Sequence, residues 1–293
     1  MKRALLIVNP AAGRRHGPRV ASDVARSLEG AGYAVETAGT TAAGEATPLA
    51  RAAAAGGAAA VFALGGDGTL REVAQGLLGS RTALGVLPAG TTNVVALALG
   101  LPREPRAAAL AVVNCVEREM DVGIAGDRVF LMQATAGFDG YLMGCLDARL
   151  KGRWGKAAVV AQACAAFARY GFPEIEIEAD GERHRATHVA VCNLAHYAGR
   201  FRLAPGARWD DRRLDLRLFA GRGHGAALAT TLRLLLDRAE PRAKTLPIDR
   251  VMVLGPADAA LQIDGDPLRL ALPVAIALAP ERLVVLAPAR GAA

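Results

Sequence analysis

Residues 58–78 read AAAVFALGGDGTLREVAQGLL and combine a strand, a glycine-rich turn and a helix. The apolar run at 58–64 is typical of a buried parallel strand, and apolar positions 70, 73, 74, 77 and 78 follow helical spacing. Gly65, Gly66 and Gly68 allow a sharp turn and close approach of the backbone to a ligand. The N–H groups at the start of the helix can bind phosphate. The segment therefore predicts a nucleotide site.

Asp67 adds a carboxylate to this turn. It could hold a phosphate-bound metal ion or take a proton. The alternative is a purely structural role, in which the aspartate caps the following helix. The turn lacks the Gly-Lys-Ser/Thr ending of a Walker A motif and the G-x-G-x-x-G spacing of a dinucleotide fingerprint.

Residues 4–114 alternate between strand and helix patterns. Strands are predicted at 4–8, 33–37, 58–64 and 83–87, and helices from about Pro18, at 45–55 and at 94–99. Repeated β-α units predict a parallel, doubly wound sheet. Ligands bind such sheets beyond the carboxyl ends of the strands. The loops after residues 8, 64 and 87 should therefore converge on one crevice.

The pattern changes after residue 115. Alternating residues 174–178 precede Asp180-Gly181, a hairpin signal. Helices are expected at about 139–169 and 225–238. The second half should otherwise be mainly antiparallel β, with strand-like runs around 120–136 and at 187–192, 214–219, 250–254, 260–263, 268–278 and 282–286.

Composition limits the function classes. Aromatic residues make up 4% of the 293 residues, which argues against an aromatic stacking platform for single-stranded nucleic acid. The formal charge of +7 favours anionic partners such as nucleotides or acidic lipid surfaces. No apolar stretch approaches the ~20 residues of a membrane span, so we expect a soluble, intracellular protein that visits a membrane only from outside. The four cysteines are expected to be reduced and mostly buried.

Two acidic motifs in the second half have two interpretations each. Asp264-Gly265-Asp266 is a hairpin signal, and it could also place one carboxylate on a metal and the other on a substrate hydroxyl. Asp210-Asp211 could bind a cation or form a solvated turn. A basic stretch at 149–156 is either a solvated helix face or a lipid-facing patch.

Taken together, the motifs resemble the diacylglycerol kinase catalytic-domain family, a bacterial lipid kinase group related to sphingosine kinases and more distantly to NAD kinases. The resemblance runs from about residue 3 to 286. Its motifs, in family order, are Asn9-Pro10-Ala11-Ala12-Gly13, Gly65-Gly66-Asp67-Gly68-Thr69, Pro88-Ala89-Gly90-Thr91-Thr92-Asn93, Gly137-Phe138-Asp139, Leu203-Ala204-Pro205 with Asp210-Asp211, and Asp264-Gly265-Asp266.

The resemblance implies an α/β nucleotide-binding domain at 1–118 and a β-sandwich lipid-substrate domain at 119–281, with residues 282–293 returning to the first domain. ATP would lie in the cleft between them. Asp266 would accept the proton of the acceptor hydroxyl, assisted by Asp264, and Asp67 would lie near Mg²⁺. The implied nucleotide contacts are Asn9, Pro10, Ala11, Ala12, Gly13, Thr40, Gly65, Gly66, Asp67, Gly68, Thr69, Leu70, Arg71 and Thr91.

A structural Mg²⁺ site is also implied, formed by the Asp211 carboxylate and the main-chain carbonyls of Arg208 and Arg213. The chain departs from the family pattern at three positions. The residue after Asn93, often Asp in the family, is Val94. The family D-G-E is Asp264-Gly265-Asp266, which is one methylene shorter, and the family D-D-G has Arg212 in place of the glycine.

The resemblance implies an ATP- and Mg²⁺-dependent lipid kinase of phospholipid metabolism. Its expected acceptor is diacylglycerol, presented at the inner face of the cytoplasmic membrane. A homodimer is compatible with the sequence, and nucleic acid is not expected as a partner. Two alternatives stay open, namely a kinase for a sphingoid base or NAD, and a nucleotide- or lipid-binding regulator with weak catalysis.

Overall fold

The structure is a computed structural model that describes residues 1–12, 18–146, 148–199, 201–236, 238 and 243–289. The helices are α1 (Pro18–Gly30), α2 (Ala46–Ala55), α3 (Asp67–Leu77), α4 (Val94–Ala98), α5 (Pro105–Val112), α6 (Phe138–Cys145), α7 (Ala148–Arg169) and α8 (Gly223–Leu235). The strands are β1 (Lys2–Val8), β2 (Tyr33–Gly39), β3 (Ala60–Gly65), β4 (Ala83–Pro88), β5 (Val116–Met120), β6 (Gly123–Ala125), β7 (Arg128–Phe130), β8 (Gln133–Gly137), β9 (Ile175–Ala179), β10 (Glu182–Ala186), β11 (His188–Cys192), β12 (His196–Tyr197), β13 (Phe201–Arg202), β14 (Leu214–Phe219), β15 (Ala243–Ile248), β16 (Arg250–Gly255), β17 (Leu261–Ile263), β18 (Asp266–Leu268), β19 (Val274–Leu278) and β20 (Leu283–Ala287).

The first half forms a six-stranded sheet in the order β2-β1-β3-β4-β20-β5. Strands β1 to β4 are parallel, and β3 and β4 are buried along their whole length. One apolar cluster includes residues of α2, α3 and α4 on one face, and another includes residues of α1 and α5 on the other. This is the doubly wound architecture that the β-α repetition predicts.

Strand β20 lies between β4 and β5 in this sheet, parallel to β4 and antiparallel to β5. The last strand of the chain therefore completes the first sheet. Strand β5 also belongs to that sheet, whereas β6 belongs to the second half. The domain limits at 118 and 281 remain a prediction.

The second half is an antiparallel β-sandwich. Its two six-stranded sheets have the orders β10-β9-β16-β19-β6-β7 and β15-β14-β11-β8-β17-β18. The alternating side chains of both sheets share one apolar core, which includes Phe130, Ile177, Val191, Leu216 and Val251. The Asp180-Gly181 hairpin forms between β9 and β10, and both residues have positive φ angles, as a two-residue type I′ turn requires.

Three helices pack outside the sandwich. Leu234 of α8 packs on the outer face of the second sheet in a cluster with Cys192 and Phe219. Helix α6 lies so close to the residue that precedes β17 that a Cβ at Gly140 would sit 2.4 Å from the Ala260 carbonyl oxygen. Rings of Phe138, Phe167 and Phe172 join α6 to α7 and the segment that follows it.

Some expectations from the sequence were wrong. The helix predicted at 139–169 is two helices, because Leu146 takes an extended conformation with φ −71° and ψ 121°. The strand predicted at 268–278 is also divided, into β18 and β19, and Pro273 between them has no N–H to donate to a ladder. Cys145 and Cys164 are exposed rather than buried. Elements α5, β5 and β15 were not predicted.

Candidate active site

The glycine turn connects β3 to α3. Gly66 is extended and precedes the helix, and the first helical hydrogen bond runs from Leu70 N–H to the Gly66 carbonyl. The N–H groups of the first helical turn, at residues 67–69, therefore have no partner within the helix. An eleven-residue helix with this free end is suited to holding an anion.

The turn packs directly against the loop after β4. A Cβ at Gly90 would lie 2.7 Å from the Gly66 Cα, so the two backbones touch. Ala89 N–H donates to the Gly65 carbonyl at 2.8 Å. The loop after β1 joins them, because Asn9 Nδ2 donates to Thr69 Oγ1 at 2.9 Å. The predicted convergence of the three loops is confirmed.

Asp67 contacts the loop after β4. Its carboxylate accepts hydrogen bonds from Thr92 Oγ1 at 2.9 Å and from the N–H groups of Val94 and Val95 at 3.2 and 3.3 Å. Asp67 thus holds the start of α4, not the start of its own helix. The side chain is buried, and these three bonds use most of the carboxylate's roughly four acceptor positions.

The other predicted nucleotide contacts surround this turn. Asn9 Oδ1 accepts from Ala11 and Ala12 N–H, while Pro10 and Ala11 are exposed. Thr40 is buried just after β2, and its N–H donates to the Val8 carbonyl at 2.9 Å. Thr91 is exposed. Gly13 lies outside the described residues.

Sequence reasoning assigned no role to Glu72. In the structure its carboxylate accepts from the N–H groups of Gly44 and Ala46 at 2.8 and 3.2 Å. It therefore holds the loop before α2 against α3. The helical pattern of 70–78 placed Glu72 on α3, but the pattern contained no signal for this contact.

Asp264 and Gly265 form the two-residue turn of a hairpin between β17 and β18, with φ of 50° at Asp264 and 88° at Gly265. The following residue, Asp266, projects from the other domain toward the glycine turn. Its Oδ2 lies 2.7 Å from Arg71 Nη2, and a Cβ at Gly68 would lie 3.9 Å from the same oxygen. The Arg71 side chain is 6% exposed and that of Asp266 is 54% exposed. The two segments therefore face each other across the interdomain cleft.

Asp264 points away from the cleft and into the protein. Its carboxylate accepts three main-chain hydrogen bonds, from Leu131, Met132 and Gln133, at 2.7 to 3.0 Å. Burial raises the pKa of this carboxyl to about 6, although the three N–H groups and Arg71 act in the opposite direction. Asp264 thus fixes the hairpin onto the connection between β7 and β8 and onto the first residue of β8.

A buried polar network supports the hairpin from the opposite side. Gln262 Oε1 accepts from Gly265 N–H at 2.7 Å, and Gln262 Nε2 donates to Thr135 Oγ1 and Asp139 Oδ2, both at 2.9 Å. Asp139 also accepts from Tyr197 O–H at 2.6 Å. Sequence reasoning noted Asp139 only as part of a motif and missed Gln262 and Tyr197, because no local pattern marks these contacts.

The predicted structural metal site at 208–213 contains an internal hydrogen bond. Asp211 Oδ1 accepts from Arg213 N–H at 3.2 Å. Among the described residues, no group of three or more His, Cys, Asp or Glu side chains is placed to hold a metal ion. The predicted Mg²⁺ site needs only one carboxylate and two main-chain carbonyls, so it stays a prediction.

Several arginine–carboxylate ion pairs lie close to the segment 208–213. Arg282 Nε lies 2.9 Å from Asp121 Oδ1, and Arg282 Nη1 lies 2.8 Å from Glu119 Oε2. Arg118 pairs with Asp210 at 2.7 Å. The fully buried Asp121 also accepts from Arg212 N–H. Arginine side chains thus neutralise the acidic side chains here.

The predicted basic patch lies on α7. The side chains of Arg149, Lys151, Arg153 and Lys156 are outside the part of the chain whose side chains the structure describes. In the described residues, no helix combines the length and the apolar character needed to span a bilayer.

Comparison with known proteins extends these observations. Residues 3–125 match the diacylglycerol kinase catalytic domain family, and residues 133–287 match the YegS C-terminal NAD kinase beta sandwich-like domain family. The chain is 37% identical over 223 residues to a protein of Bacillus subtilis named "Diacylglycerol kinase", covering 74% of each chain. It is 31% identical over 278 residues to a Pseudomonas fluorescens protein named "Probable lipid kinase YegS-like", covering 92% of this chain and 90% of the other.

The crystal structure of a diacylglycerol kinase from Bacillus anthracis aligns with a TM-score of 0.80 over 98% of this chain and 97% of that one. At 23% identity this match establishes a common fold.

Proposed function

This chain belongs to the diacylglycerol kinase family of lipid kinases, and we propose that it transfers the γ-phosphoryl group of ATP to the hydroxyl of diacylglycerol, giving phosphatidate. Membership makes it an ATP-dependent kinase with a hydroxyl acceptor. One relative is named for diacylglycerol, which supports this choice among lipid hydroxyls. The contact between Arg71 and Asp266 carries the proposal, because it brings a solvent-accessible carboxylate of the second domain to the glycine turn.

ATP would bind with its phosphates at the start of α3. The free N–H groups of residues 67–69 would donate to phosphate oxygens. The loop of Asn9 to Gly13, together with Thr40, Leu70, Arg71 and Thr91, would form the rest of the nucleotide site. Arg71 is suited to this position because its guanidinium already lies at the cleft next to Asp266.

Asp266 would act as general base. The acceptor hydroxyl passes its proton to the Asp266 carboxylate while its oxygen bonds to the γ-phosphorus. The bond to the β–γ bridging oxygen breaks, and ADP leaves. Phosphoryl transfer depends mainly on positioning and charge neutralisation. In this scheme Asp264 and Gln262 do not touch the acceptor, but their contacts with the hairpin hold Asp266 in place.

Mg²⁺ would enter as the complex with ATP and neutralise charge on the phosphates. Asp67 is the carboxylate of this chain within the phosphate turn, and it keeps about one acceptor position beyond its three hydrogen bonds. A single ligand of this kind fits an ion that is held mainly by phosphate and water. A separate structural Mg²⁺ would be held by the Asp211 carboxylate and the main-chain carbonyls of Arg208 and Arg213.

A single assay separates this proposal from the alternatives. Radiolabelled ATP and Mg²⁺ are incubated with diacylglycerol, sphingoid bases, a lipid extract and NAD in parallel. Labelled phosphatidate supports the proposal, whereas a labelled sphingoid base or NADP identifies another acceptor. Binding of ATP without any labelled product would indicate a regulator. Two departures from the family pattern favour that role, namely Val94 in place of Asp and Asp266 in place of Glu.

We propose that the kinase binds peripherally to the inner face of the cytoplasmic membrane and reaches its acceptor there. Diacylglycerol resides in the bilayer, and the basic composition of the chain favours an anionic surface. Nucleic acid is not proposed as a partner, and a homodimer is compatible with this arrangement.

A further inference from the structure

Asp139 is the acidic residue of a sequence motif, Gly137-Phe138-Asp139, that the proposed reaction does not use. It lies in the first turn of α6 and is 6% exposed. Gly137, just before the helix, has a φ angle of 123°, and a Cβ there would lie 2.9 Å from the Thr187 carbonyl oxygen. Glycine therefore lets the chain turn back at this point. The Asp139 carboxylate thereby reaches β8 and accepts from Thr135 Oγ1 at 3.2 Å.

The Asp139 carboxylate receives donors on both of its oxygens. Oδ1 accepts from Tyr197 O–H at 2.6 Å, and Oδ2 accepts from Gln262 Nε2 at 2.9 Å as well as from Thr135. Burial and the Asp139 carboxylate raise the pKa of the Tyr197 phenol well above its usual value, so the phenol keeps the proton that it donates. Because a carboxylate has no proton to give, each of these three partners acts as the donor.

The amide of Gln262 has two orientations of almost the same shape, with opposite hydrogen-bonding character at their ends. In the structure, Oε1 accepts from Gly265 N–H at 2.7 Å and Nε2 donates to Asp139. The reversed amide would place an oxygen against the Asp139 carboxylate and a nitrogen against the Gly265 N–H. Gln262 is 1% exposed, so water cannot satisfy the groups that would lose their partners. The carboxylate of Asp139 therefore determines which end of the amide faces Gly265.

The peptide group held by Gln262 adjoins the proposed base. Gly265 directly precedes Asp266, so the hydrogen bond from Gly265 N–H fixes the main chain next to the reacting carboxylate. The Asp266 side chain is largely exposed and contacts Arg71 across the cleft. Its position in the cleft therefore depends on the turn before it. A displacement of a reacting group by about 1 Å can lower a rate by about 100-fold.

We propose that Asp139 is a positioning residue for phosphoryl transfer. By accepting from Gln262 Nε2, it directs Gln262 Oε1 to the Gly265 N–H and so holds Asp266 where the acceptor hydroxyl loses its proton. This deepens the proposed function and rests on it, since it assumes that Asp266 is the base. Asp139 itself touches neither the nucleotide nor the acceptor in this scheme.

Two variants test the proposal by exchanging donors and acceptors. In Asp139→Asn, Tyr197 keeps the new amide oxygen, so the new nitrogen faces Gln262 Nε2. Two donors then meet, and Gln262 either loses this bond or reverses and deprives Gly265 N–H of its acceptor. With a short-chain diacylglycerol, we expect kcat to fall by about 10–100-fold and KM for ATP to stay within about twofold.

The double variant Asp139→Asn, Gln262→Glu restores the pattern in the reversed direction. The glutamate accepts from the new amide nitrogen and from Gly265 N–H, while Tyr197 still donates to the amide oxygen. The negative charge moves by one side chain and is not lost. We expect kcat to return to within about threefold of the wild-type value.

Amide NMR observes the hydrogen bond itself. With isotope labelling of glycine, the Gly265 amide proton should move upfield in Asp139→Asn, where its bond to Gln262 is weakened, and return in the double variant. Its peak is identified by its absence from the spectrum of Gly265→Asn, since asparagine tolerates a positive φ angle. This measurement does not depend on turnover.

The control removes another buried hydrogen bond far from the hairpin. Thr82 is buried just before β4, at the end of the first sheet opposite to the glycine turn, and its Oγ1 donates to the Ala58 carbonyl at 2.8 Å. Thr82→Val should lower the melting temperature and leave kcat unchanged. A loss of stability alone therefore does not account for a loss of kcat.

Thermal unfolding shows which variants are folded. A folded Asp139→Asn variant with the kcat and the Gly265 shift of wild type would overturn the proposal. A folded double variant that stays as slow as the single one would also overturn it, because the orientation of the amide would then not limit the rate. If Asp139→Asn does not fold, Tyr197→Phe decides, since it frees the carboxylate to turn away from Gln262. Its kcat should fall by a smaller factor, and an unchanged kcat would overturn the proposal.

Failure of the proposed function looks different. If wild type does not phosphorylate diacylglycerol, the proposed acceptor is wrong, and the variants are compared on the acceptor that the radiolabel assay identifies. If no acceptor is labelled, the role of Asp139 in phosphoryl transfer is wrong together with the proposed function. The Gly265 shift still decides in that case whether Asp139 orients Gln262.

Discussion

The guanidinium of Arg71 lies 2.7 Å from the carboxylate of Asp266, and this ion pair joins the nucleotide-binding sheet to the sandwich across the cleft. The arginine is buried and the aspartate is largely exposed. Binding of a phosphate close to Arg71 would draw the guanidinium toward the new negative charge. The Arg71 side chain thus links the proposed base, Asp266, to the proposed phosphate site at the glycine turn.

Replacing Asp266 with asparagine should lower kcat by about 10²–10⁴-fold, the range expected when a general base is removed. Asparagine keeps an oxygen that can accept from Arg71, so ATP affinity should change little. Steady-state kinetics and ATP titration measure the two effects. Asp180→Asn, in the exposed hairpin between β9 and β10, is the control and should be fully active. Full activity of the Asp266 variant would show that another group takes the proton.

Replacing Gly90 with alanine should damage the nucleotide site. The added Cβ would lie 2.7 Å from the Gly66 Cα and 2.9 Å from Asn93 Oδ1, so the phosphate turn has to move. Overpacking of this kind costs roughly 1–3 kcal/mol. We expect weaker ATP binding by calorimetry and a lower melting temperature. Gly30→Ala, where a Cβ meets nothing within 4 Å, should leave both unchanged. Unaltered ATP binding by the Gly90 variant would argue against a nucleotide at this turn.

Asp264 should make stability depend on pH. Its folded-state pKa of about 6 lies above the usual 3.8, so between these values the folded protein holds a proton that the unfolded chain has lost. The contribution of this carboxyl to the free energy of unfolding therefore falls as the pH rises from about 4 to 6, by roughly 3 kcal/mol in total. Urea unfolding of wild type and Asp264→Asn across this range measures it.

The free energy of unfolding of wild type minus that of the Asp264→Asn variant should fall as the pH rises from about 4 to 6, because asparagine does not titrate. A constant difference between wild type and the Asp264 variant would mean that the carboxyl keeps its usual pKa in the folded protein.

Replacing Arg282 with glutamine should destabilise the protein, because the buried Asp121 loses the guanidinium that neutralises it. Arg212 still contacts Asp121, so we expect a loss of about 1–3 kcal/mol rather than the larger cost of an unpaired buried charge. Calorimetry measures it. EDTA tests the predicted structural Mg²⁺ site separately. We expect EDTA to lower the melting temperature of the wild type and Mg²⁺ to restore it, and an unchanged melting temperature would contradict that site.

Local patterns in the sequence were sufficient to predict the glycine turn and the convergence of the loops around it. A buried run, three glycines and a helical pattern identify the turn at 65–69, and parallel strands bring their carboxyl ends together. For this reason the sequence predicted that the three loops meet at one crevice, where Gly66 now contacts Gly90 and Asn9 contacts Thr69. Positive φ angles at Asp264 and Gly265 also match the turn that Asp-Gly predicts.

The long-range contacts could not be predicted in this way. Asp264 bonds the main chain at 131–133, more than a hundred residues earlier, and no periodicity marks that pairing. Arg282 reaches Asp121 only because β20 lies beside β5. The arginines that pair with Asp121, Asp210 and Glu119 likewise come from distant parts of the chain. Such neutralisation depends on tertiary neighbours, which a single sequence does not reveal.

The position of β20 has a consequence for biosynthesis. Strand β4 pairs with β3 early, but it gains its second neighbour, β20, only when residues 283–287 have left the ribosome. This edge of the first sheet therefore stays open while the whole sandwich is being translated. The sandwich has all its strands before that point and is free to fold first. We therefore expect full kinase activity only after residue 287 has emerged, and a nascent fragment that contains only the glycine turn leaves an unpaired strand edge for chaperones to cover.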